Sequence, residues 1–410
     1  MTKIDPDILQ KITRRGVSEI IPEQDFIKRV QEGKPLRLKM GFDPSKPDLH
    51  LGHVVGLRKL RQLQDLGHEL TLIVGDWTAQ IGDPSGQSDT RSMLSASEVR
   101  QNAETYMQQF FRIVDPAKTK AVYQSEWFGK FSLTDVIKLT SFFTVNQFLH
   151  RDDFSQRYTN KKPIAVTELL YPLLQAYDSV AIEADVEFGG TDQLFNLMVG
   201  RELQEKMGQA PQIVFLMPIL PGTDGVRRMG KSLNNYIAIE DPPYEMFGKI
   251  MSLPDDVLPI YFELLTDLPD DDLVSIRTSI SQRTENPMSY KKKLANQLVS
   301  WFHSPEAATA AANEFERVVQ KGQEPKEIPE ISVSALESFV TEKMPEGIIV
   351  DTLQLLVTAS LAPSRSEARR LLSQNAIEID GEKVSSESSF VRFGAIIRAG
   401  RRRFVRITNT

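Results

Sequence analysis

The chain has 410 residues, of which 40% are hydrophobic and 25% are charged, a composition typical of a folded protein with about two to four domains. It has no cysteine, which excludes disulfides and cysteine-ligated metals and fits a reducing cytoplasm. No apolar stretch approaches the roughly 18 residues of a membrane helix, and the N-terminus lacks the apolar core of a signal peptide.

The formal charge of −6 disfavours nucleic acid as a partner, but the distribution of charge changes that interpretation. Residues 348–410 carry ten basic and six acidic side chains, a net charge of +4, which leaves −10 for residues 1–347. An acidic body with a basic tail indicates that the tail is the part suited to nucleic acid.

A strand–helix–strand pattern runs from residue 36 to residue 74. Residues 36–44 alternate and then break at Gly-Phe-Asp-Pro, residues 54–66 have apolar positions at helical spacing, and residues 69–74 form a second short apolar run. This order predicts a βαβ unit and a parallel sheet. Because ligands bind at the carboxyl ends of such strands, we expect a site near residues 41–44 and 75–86.

Later segments extend the same architecture. Residues 167–183 read as a helix, 213–216 as a further strand, and 241–325 as mostly helical. The polar, proline-rich residues 322–329 indicate the start of a linker.

The tail has its own elements. Ser364 and Glu367 form a capping-box pattern at the start of a helix through Leu372, and residues 377–384 alternate around the Asp380-Gly381 turn of a hairpin. A helix and a hairpin with nearby arginines predict a small basic module.

Two histidines, His50 and His53, share one face at a helix N-terminus, where an anion is favoured, with Gly52 between them. Taken alone, such a pair is more often structural or metal-binding than nucleotide-binding. A zinc site would need further ligands, and His68, His150 and His303 form no ligand-like cluster.

A cationic loop occupies residues 222–235, with glycines beside Arg227, Arg228 and Lys231. Such a loop can close on phosphates, although a solvated surface turn has the same composition.

One helix face carries Tyr171, Gln175 and Asp178 at positions i, i+4 and i+7. This buried polar face could bind a ligand with a hydroxyl and an ammonium group, or could bond internally. Two glycine turns, residues 82–86 and 189–193, follow predicted elements and are weak signals alone.

In this order the motifs resemble the class I aminoacyl-tRNA synthetases, and within them the bacterial tyrosyl-tRNA synthetases. His50-Leu51-Gly52-His53 is similar to the His-Ile-Gly-His signature, and residues 228–232, Arg-Met-Gly-Lys-Ser, to Lys-Met-Ser-Lys-Ser. The tyrosine-specific resemblance lies in residues 41–44, 81–86, 174–178 and 189–193, and the tail resembles an S4-type RNA-binding module.

The resemblance implies a role for each matched residue. The ATP-binding residues are expected to be Gly41, Asp43, His50, Gly52, His53, Gly190, Asp192, Met229, Lys231 and Ser232. The tyrosine-binding residues are expected to be Asp83, Tyr171, Gln175, Asp178 and Gln193, with the phenol on Asp178. Catalysis is expected from His50, His53, Arg228 and Lys231, and tRNA binding from Arg365, Arg369 and Arg370.

The implied fold is α/β: a Rossmann-like parallel-sheet catalytic domain over residues 1–240, an α-helical domain over 241–325, a linker over 326–347 and a small α+β S4-like domain over 348–410. The implied partners are L-tyrosine, ATP with Mg²⁺ and tRNA(Tyr), with no permanently bound metal or prosthetic group. The resemblance further implies a cytoplasmic homodimer with no membrane association.

The sequence departs from the family pattern at two places and leaves two alternatives open. Lys39 stands where some bacterial members have a pocket tyrosine, and Arg228 and Gly230 replace the first lysine and first serine of the loop signature. Tryptophan is the nearer alternative substrate, because the tryptophan enzymes share the scaffold. A non-catalytic RNA-binding protein is the more distant one, and a small nucleotidyltransferase fits neither the length nor the tail.

Overall fold

The computed structural model describes residues 4–45, 47–85, 93–325, 328–400 and 403–409. The chain divides into two units, Met1–Phe302 and His303–Thr410. Each unit has its own sheets and helices.

A six-stranded sheet forms the centre of the first unit. Its strands are β1 (Glu19–Ile21), β2 (Arg37–Phe42), β3 (Glu69–Val74), β4 (Thr119–Tyr123), β5 (Val186–Gly190) and β6 (Ile213–Met217). The order is β1-β6-β5-β2-β3-β4, with every neighbouring pair parallel except β1 and β6. The predicted α/β class and parallel βαβ unit are therefore confirmed.

Burial explains the sequence character of these strands. All five residues of β6 are buried, as expected for a parallel strand covered on both faces, and this is why its sequence is a continuous apolar run. The sequence did not predict β4, because this strand has only five residues and only one of them, Val122, is buried.

Helices surround this sheet and follow it in the chain. They are α1 (Pro6–Arg14), α2 (Glu23–Gln31), α3 (Leu51–Asp65), α4 (Thr78–Ile81), α5 (Ala96–Phe110), α6 (Ser125–Phe128), α7 (Leu133–Thr140), α8 (Val145–Leu149), α9 (Asp152–Thr159), α10 (Val166–Ala181), α11 (Leu194–Lys206), α12 (Pro243–Met251), α13 (Leu258–Leu265), α14 (Asp270–Gln282) and α15 (Pro287–Phe302). The predicted helix at 54–66 begins three residues earlier, at Leu51, because His50 is its N-cap. The helical character predicted for residues 241–302 is confirmed.

The carboxyl ends of β2, β3 and β5 meet at one edge of the sheet, because these strands are parallel neighbours. The loops at 43–45, 75–77 and 191–193 leave the sheet there. α3 and α10 flank the same edge, so polar side chains from distant parts of the sequence converge on it.

The second unit begins with α16 (Pro305–Phe315) and a π-helical turn at Glu316–Gln320. Its remaining elements are β7 (Glu330–Ser332), β8 (Val340–Met344), β9 (Gly347–Asp351), α17 (Thr352–Thr358), α18 (Arg365–Ser373), β10 (Ile377–Ile379), β11 (Glu382–Lys383), β12 (Ser388–Arg392), β13 (Ile396–Ala399) and β14 (Arg403–Thr408). They form a five-stranded sheet, β11-β10-β13-β14-β7, and a three-stranded sheet, β12-β9-β8.

The predicted helix and hairpin of the tail are present. β10 and β11 pair in antiparallel register around Asp380 and Gly381, whose φ angles of 50° and 84° suit a type I′ turn. The capping box is only half formed. Ser364 accepts from the Glu367 N–H at 3.3 Å, but the Glu367 carboxylate accepts from Arg370 rather than closing back on the helix start.

Residues 330–344, within the expected linker, contain β7, a 3₁₀ helix and β8. β7 pairs with β14 and β8 with β9, so this segment belongs to the sheets of the second unit. Its short strands carry too few alternating apolar residues to be visible in the sequence. The domain limits themselves remain predictions.

Candidate active site

A cavity of about 320 Å³ opens at the carboxyl edge of the central sheet. Most of the expected ligand-binding residues line it: Gly41, Asp43, His50, Gly52, His53, Asp83, Tyr171, Gln175, Asp178, Gly190, Asp192, Gln193, Arg228, Met229 and Ser232. Lys231 is not among the lining residues. The fold thus brings together side chains that lie up to about 190 residues apart in the sequence.

The two histidines form a stacked pair at the start of α3, with ring centroids 3.8 Å apart. The His50 N–H donates to His53 Nδ1 and the Gly52 N–H donates to His50 Nδ1, both at 3.2 Å. Burial and the charge of Lys231 lower the pKa of His50 to about 3, and burial lowers the pKa of His53 well below its usual value. Both rings are therefore neutral, and since each Nδ1 accepts, each presents Nε2–H as a hydrogen-bond donor.

Gly52 allows this arrangement. A Cβ at this position would lie 3.0 Å from the Cε1 and Nδ1 atoms of the His50 ring, so the ring would have to shift by a few tenths of an ångström. The absent side chain lets the His50 ring fold back over the backbone.

The loop at residues 222–235 reaches the cavity through Arg228. Its guanidinium donates to Asp192 Oδ2 at 2.7 Å and to the Ser85 carbonyl at 3.3 Å. The Lys231 ammonium donates to the Tyr106 hydroxyl at 3.0 Å. Asn235 fixes the loop base, because its side chain accepts from the Gly230 N–H and donates to the Arg228 carbonyl.

Asp178 projects from α10 with 2% of its surface exposed. Gln124 Nε2 donates to its Oδ2 at 2.7 Å, and Trp127 Nε1 donates to its Oδ1 at 3.2 Å. Burial raises the pKa of Asp178 to about 7, against the opposing charge of Lys39. The carboxylate is thus held at both oxygens and still faces the cavity, where it can accept from a ligand.

Asp43 joins the two halves of the cavity. The Tyr171 hydroxyl donates to its Oδ2 at 2.8 Å and the Thr78 hydroxyl to its Oδ1 at 2.7 Å. Burial raises the pKa of Tyr171 well above its usual value, so this hydroxyl stays a donor. The side-chain Oε1 of Gln124 accepts from the Thr78 N–H at 3.0 Å, which links Asp43 to the residue that holds Asp178.

Asp83 and Gln193 also meet. Gln193 Nε2 donates to Asp83 Oδ2 at 2.7 Å, while Asp83 Oδ1 accepts from the Ser85 N–H at 2.8 Å. The last residue of the expected turn, Gly86, lies outside the described residues.

The three expected tRNA-binding arginines lie on or at the start of α18 and are exposed. Each contacts a carboxylate: Arg365 on Asp351 at 3.0 Å, Arg369 on Glu387 at 3.2 Å and Arg370 on Glu367 at 2.6 Å. Solvent screens exposed pairs of this kind and leaves them weak, so a phosphate can replace the carboxylate at low cost. Two further tail arginines, Arg401 and Arg402, lie outside the described residues.

Several residues of the site escaped sequence analysis: Thr78, Tyr106, Gln124, Trp127, Glu187 and Asn235. Gln124 and Trp127 follow β4, so recognising that strand would have pointed to them, because they stand at its carboxyl end. Lys39, at the position where some family members have a pocket tyrosine, is buried and is not among the residues that line the cavity.

Comparison with known proteins identifies the family of the chain. Residues 31–320 match the family model of class I tRNA synthetases (W and Y), and residues 353–397 match the S4 domain. The chain belongs to this class I family, as a parallel-sheet protein with the paired histidine and loop signatures. The tyrosine–tRNA ligase of Dehalococcoides mccartyi strain CBDB1 is 54% identical over 396 residues, 97% of each chain. That of Thermotoga maritima is 47% identical over 405 residues, 98% of each chain.

Solved structures agree on the fold. The tyrosyl-tRNA synthetase of Archaeoglobus fulgidus, complexed with L-tyrosine, superimposes with a TM-score of 0.61 at 23% identity and covers 75% of this chain and 99% of its own. Among the residues that the structure describes, no helix is long and apolar enough to cross a membrane.

Proposed function

We propose that this protein is a tyrosine–tRNA ligase, which activates L-tyrosine with Mg-ATP and transfers the tyrosyl group to the 3′ end of tRNA(Tyr). The coarser statement follows from family membership: the chain is an aminoacyl-tRNA synthetase, and therefore a ligase. Mg²⁺ is proposed to arrive with ATP, as part of that substrate.

The observation that carries the choice of tyrosine is the buried carboxylate of Asp178. Gln124 and Trp127 each donate one hydrogen bond, to different oxygens of the carboxylate. Each oxygen can therefore still accept a hydrogen bond from a ligand in the cavity. A phenol O–H would donate to it, whereas phenylalanine would leave a buried anion short of a donor. Unpaired buried polar groups are costly, so the site rejects the ligand that lacks the hydroxyl.

The remaining tyrosine contacts are proposed at Asp83, Tyr171, Gln175 and Gln193. Tyr171 is committed to Asp43 and Gln193 to Asp83, so these side chains are preordered before a ligand binds. Asp83 and the Gln175 amide supply acceptors for the α-ammonium group.

The ATP half of the site is proposed to lie at Gly41, Asp43, Gly52, Gly190, Asp192, Met229 and Ser232, around the stacked histidines. In the first step the tyrosine carboxylate attacks the α-phosphate, the bond to the β-phosphate oxygen breaks, and pyrophosphate leaves. A carboxylate is already a nucleophile, so no general base is required. Neutral His50 and His53 donate from Nε2 to phosphate oxygens, and Arg228 and Lys231 supply positive charge.

In the second step a ribose hydroxyl of the tRNA attacks the tyrosyl carbonyl, and AMP leaves. The tRNA is proposed to bind through Arg365, Arg369 and Arg370 of the basic tail. The reaction is proposed to take place in the cytoplasm.

Pyrophosphate exchange across all twenty amino acids tests the proposal. We expect ATP-dependent exchange with tyrosine and at least a hundredfold less with phenylalanine, about the value of one hydrogen bond to a buried charge. Exchange driven by tryptophan in place of tyrosine would identify the nearer alternative. Exchange with no amino acid would identify a non-catalytic RNA-binding protein.

A homodimer is also proposed, supported by apolar side chains exposed near α7, α8 and α10. They are Leu133, Val136, Ile137, Val145 and Val166, with Leu133 75% and Val166 77% exposed. Exposed apolar side chains of this kind favour association between subunits, which would bury them. Light scattering should give twice the chain mass for the wild type and the single mass for Leu133→Glu/Ile137→Glu. The matched control is Val274→Glu, at an exposed valine on α14, which should remain dimeric.

A further inference from the structure

A buried ion pair lies behind the wall of the candidate tyrosine pocket. Lys39 on β2 and Glu187 on β5 are register partners in the sheet, with Lys39 Nζ 2.9 Å from Glu187 Oε1. Their side chains are 0% and 1% exposed. The Lys39 ammonium also donates to the Gln175 carbonyl at 2.8 Å and to the Ser179 hydroxyl at 2.7 Å, so its three N–H bonds all have acceptors.

Glu187 is equally well bonded. Its Oε1 accepts from Lys39 and from Gln175 Nε2, the latter at 3.1 Å. Its Oε2 accepts from the Ser179 hydroxyl at 3.1 Å and from Gln212 Nε2. A buried ion pair persists only when its remaining hydrogen-bonding positions are filled in this way.

Gly200 on α11 provides the space for this cluster. A Cβ at that position would lie 2.7 Å from Gln212 Nε2 and 3.1 Å from Glu187 Oε2. The ion pair is thus enclosed by the sheet, α10 and α11, and the Gln175 side chain connects it to the cavity.

The consequence concerns the side-chain amide of Gln175, which lines the cavity. An ionised carboxylate only accepts hydrogen bonds, so Glu187 selects the amide orientation that presents Nε2 to it. The amide oxygen is then the acceptor that remains for a cavity ligand. We infer that Lys39 and Glu187 are positioning residues, which hold the Gln175 amide so that its oxygen receives the α-ammonium group of the amino acid substrate.

Both charges are needed for this orientation. Removing Lys39 would leave Glu187 as an uncompensated buried anion, an arrangement that a bound proton relieves. A protonated carboxyl could donate to the amide oxygen and turn Gln175 around. Lys39, at a position where some family members have a tyrosine, therefore acts on the substrate through two other side chains. This inference rests on the proposed function.

The test uses the full-length protein and two ligands that differ by the ammonium group. Tyramine carries a phenol and an ammonium group, and 4-ethylphenol carries the phenol alone. Both are measured as competitive inhibitors of tyrosine-dependent pyrophosphate exchange. The main variant is Lys39→Met/Glu187→Gln, which removes both charges together and leaves no unpaired ion in the core.

We expect tyramine to bind the double variant about tenfold or more weakly, the value of a lost hydrogen bond to a charged group, and 4-ethylphenol to change by less than about twofold. The KM for tyrosine should rise more than kcat falls. Ser179→Ala, which changes no charge, should shift the tyramine-to-ethylphenol ratio in the same direction by a smaller factor.

The matched control is the buried pair of Arg157 and Glu168, 2.6 Å apart, which bonds to the backbone at Pro163 and Ala165. Arg157→Met/Glu168→Gln should leave the inhibitor ratio unchanged. Equal weakening of both inhibitors in the main variant, or an unchanged ratio in both test variants, would overturn the inference. A wild type without tyrosine-dependent exchange would overturn the proposed function instead, and the inference with it.

Discussion

At the scale of single residues, Asp178 combines deep burial with two fixed donors. Burial alone favours a neutral carboxyl, while Lys39, Gln124 and Trp127 favour the carboxylate. The balance places its pKa at about 7, within the physiological range. The residue therefore changes charge as the pH passes through about 7.

The sign of the resulting pH effect follows directly. Below about pH 7 the carboxyl of the free protein binds a proton and becomes a weaker acceptor for a phenol, so kcat/KM for tyrosine should fall as the pH decreases through 7. In Asp178→Asn this limb should be absent, and kcat/KM should be about 10- to 100-fold lower throughout. The measurement is pyrophosphate exchange at saturating ATP and low tyrosine. The same acidic limb in both proteins would contradict the assignment.

Single residues also mark what the sequence could and could not reveal. His50, Asp178 and Lys231 belong to motifs with fixed spacing, so they were predictable. Gln124, Trp127 and Glu187 contribute single side chains from separate elements, and only the folded sheet brings them to Asp178 and Gln175. No local pattern encodes such contacts, because each partner lies at least 12 residues away.

At the scale of elements, the start of α3 decides the geometry of the ATP half. His50 is the N-cap and His53 the third helical residue, so one turn of helix holds both rings in a stack. The helical periodicity of Val54–Leu66 was sufficient to predict the helix. The spacing of His50 and His53 placed both residues at its N-terminus, and the structure has His50 as the N-cap.

Gly52→Ala tests this element. The added Cβ would lie 3.0 Å from the His50 ring and force the ring to shift, so we expect about tenfold slower pyrophosphate exchange with little change in tyrosine binding. The matched control is Gly248→Ala in α12, where a Cβ would meet nothing within 4 Å. That variant should keep its activity and gain about 0.5–1 kcal/mol of stability. Equal rates for the wild type and Gly52→Ala would contradict the role assigned to the stack.

At the scale of the whole molecule, net positive charge is concentrated in residues 348–410. Residues 348–410 carry a net charge of +4 and residues 1–347 carry −10, an asymmetry that the sequence alone reveals. The arginines of α18 are held in surface ion pairs, so tRNA would exchange its phosphates for Asp351, Glu367 and Glu387. Each exchange releases counterions from the RNA.

Arg365→Ala/Arg369→Ala/Arg370→Ala measures this contribution. The logarithm of the tRNA association constant should decrease less steeply with the logarithm of salt concentration, by about one unit for each phosphate that the variant no longer binds. Pyrophosphate exchange, which needs no tRNA, should be unchanged. The matched control is Arg277→Ala, at an exposed arginine of α14 paired with Glu263. An unaltered salt slope in the triple variant would place the tRNA elsewhere.

The ion pair of Arg228 and Asp192 has a consequence for how ATP is recognised. Each residue already serves as the other's ligand, so an incoming molecule must satisfy both when it separates them. Inorganic phosphate could bind Arg228, but it would leave the half-buried Asp192 carboxylate without its partner. A nucleoside could bind Asp192, but it would leave the Arg228 guanidinium without its partner. ATP, on the proposed roles, brings triphosphate and ribose together. The ion pair thus favours a ligand that offers a partner to Arg228 and to Asp192 at the same time.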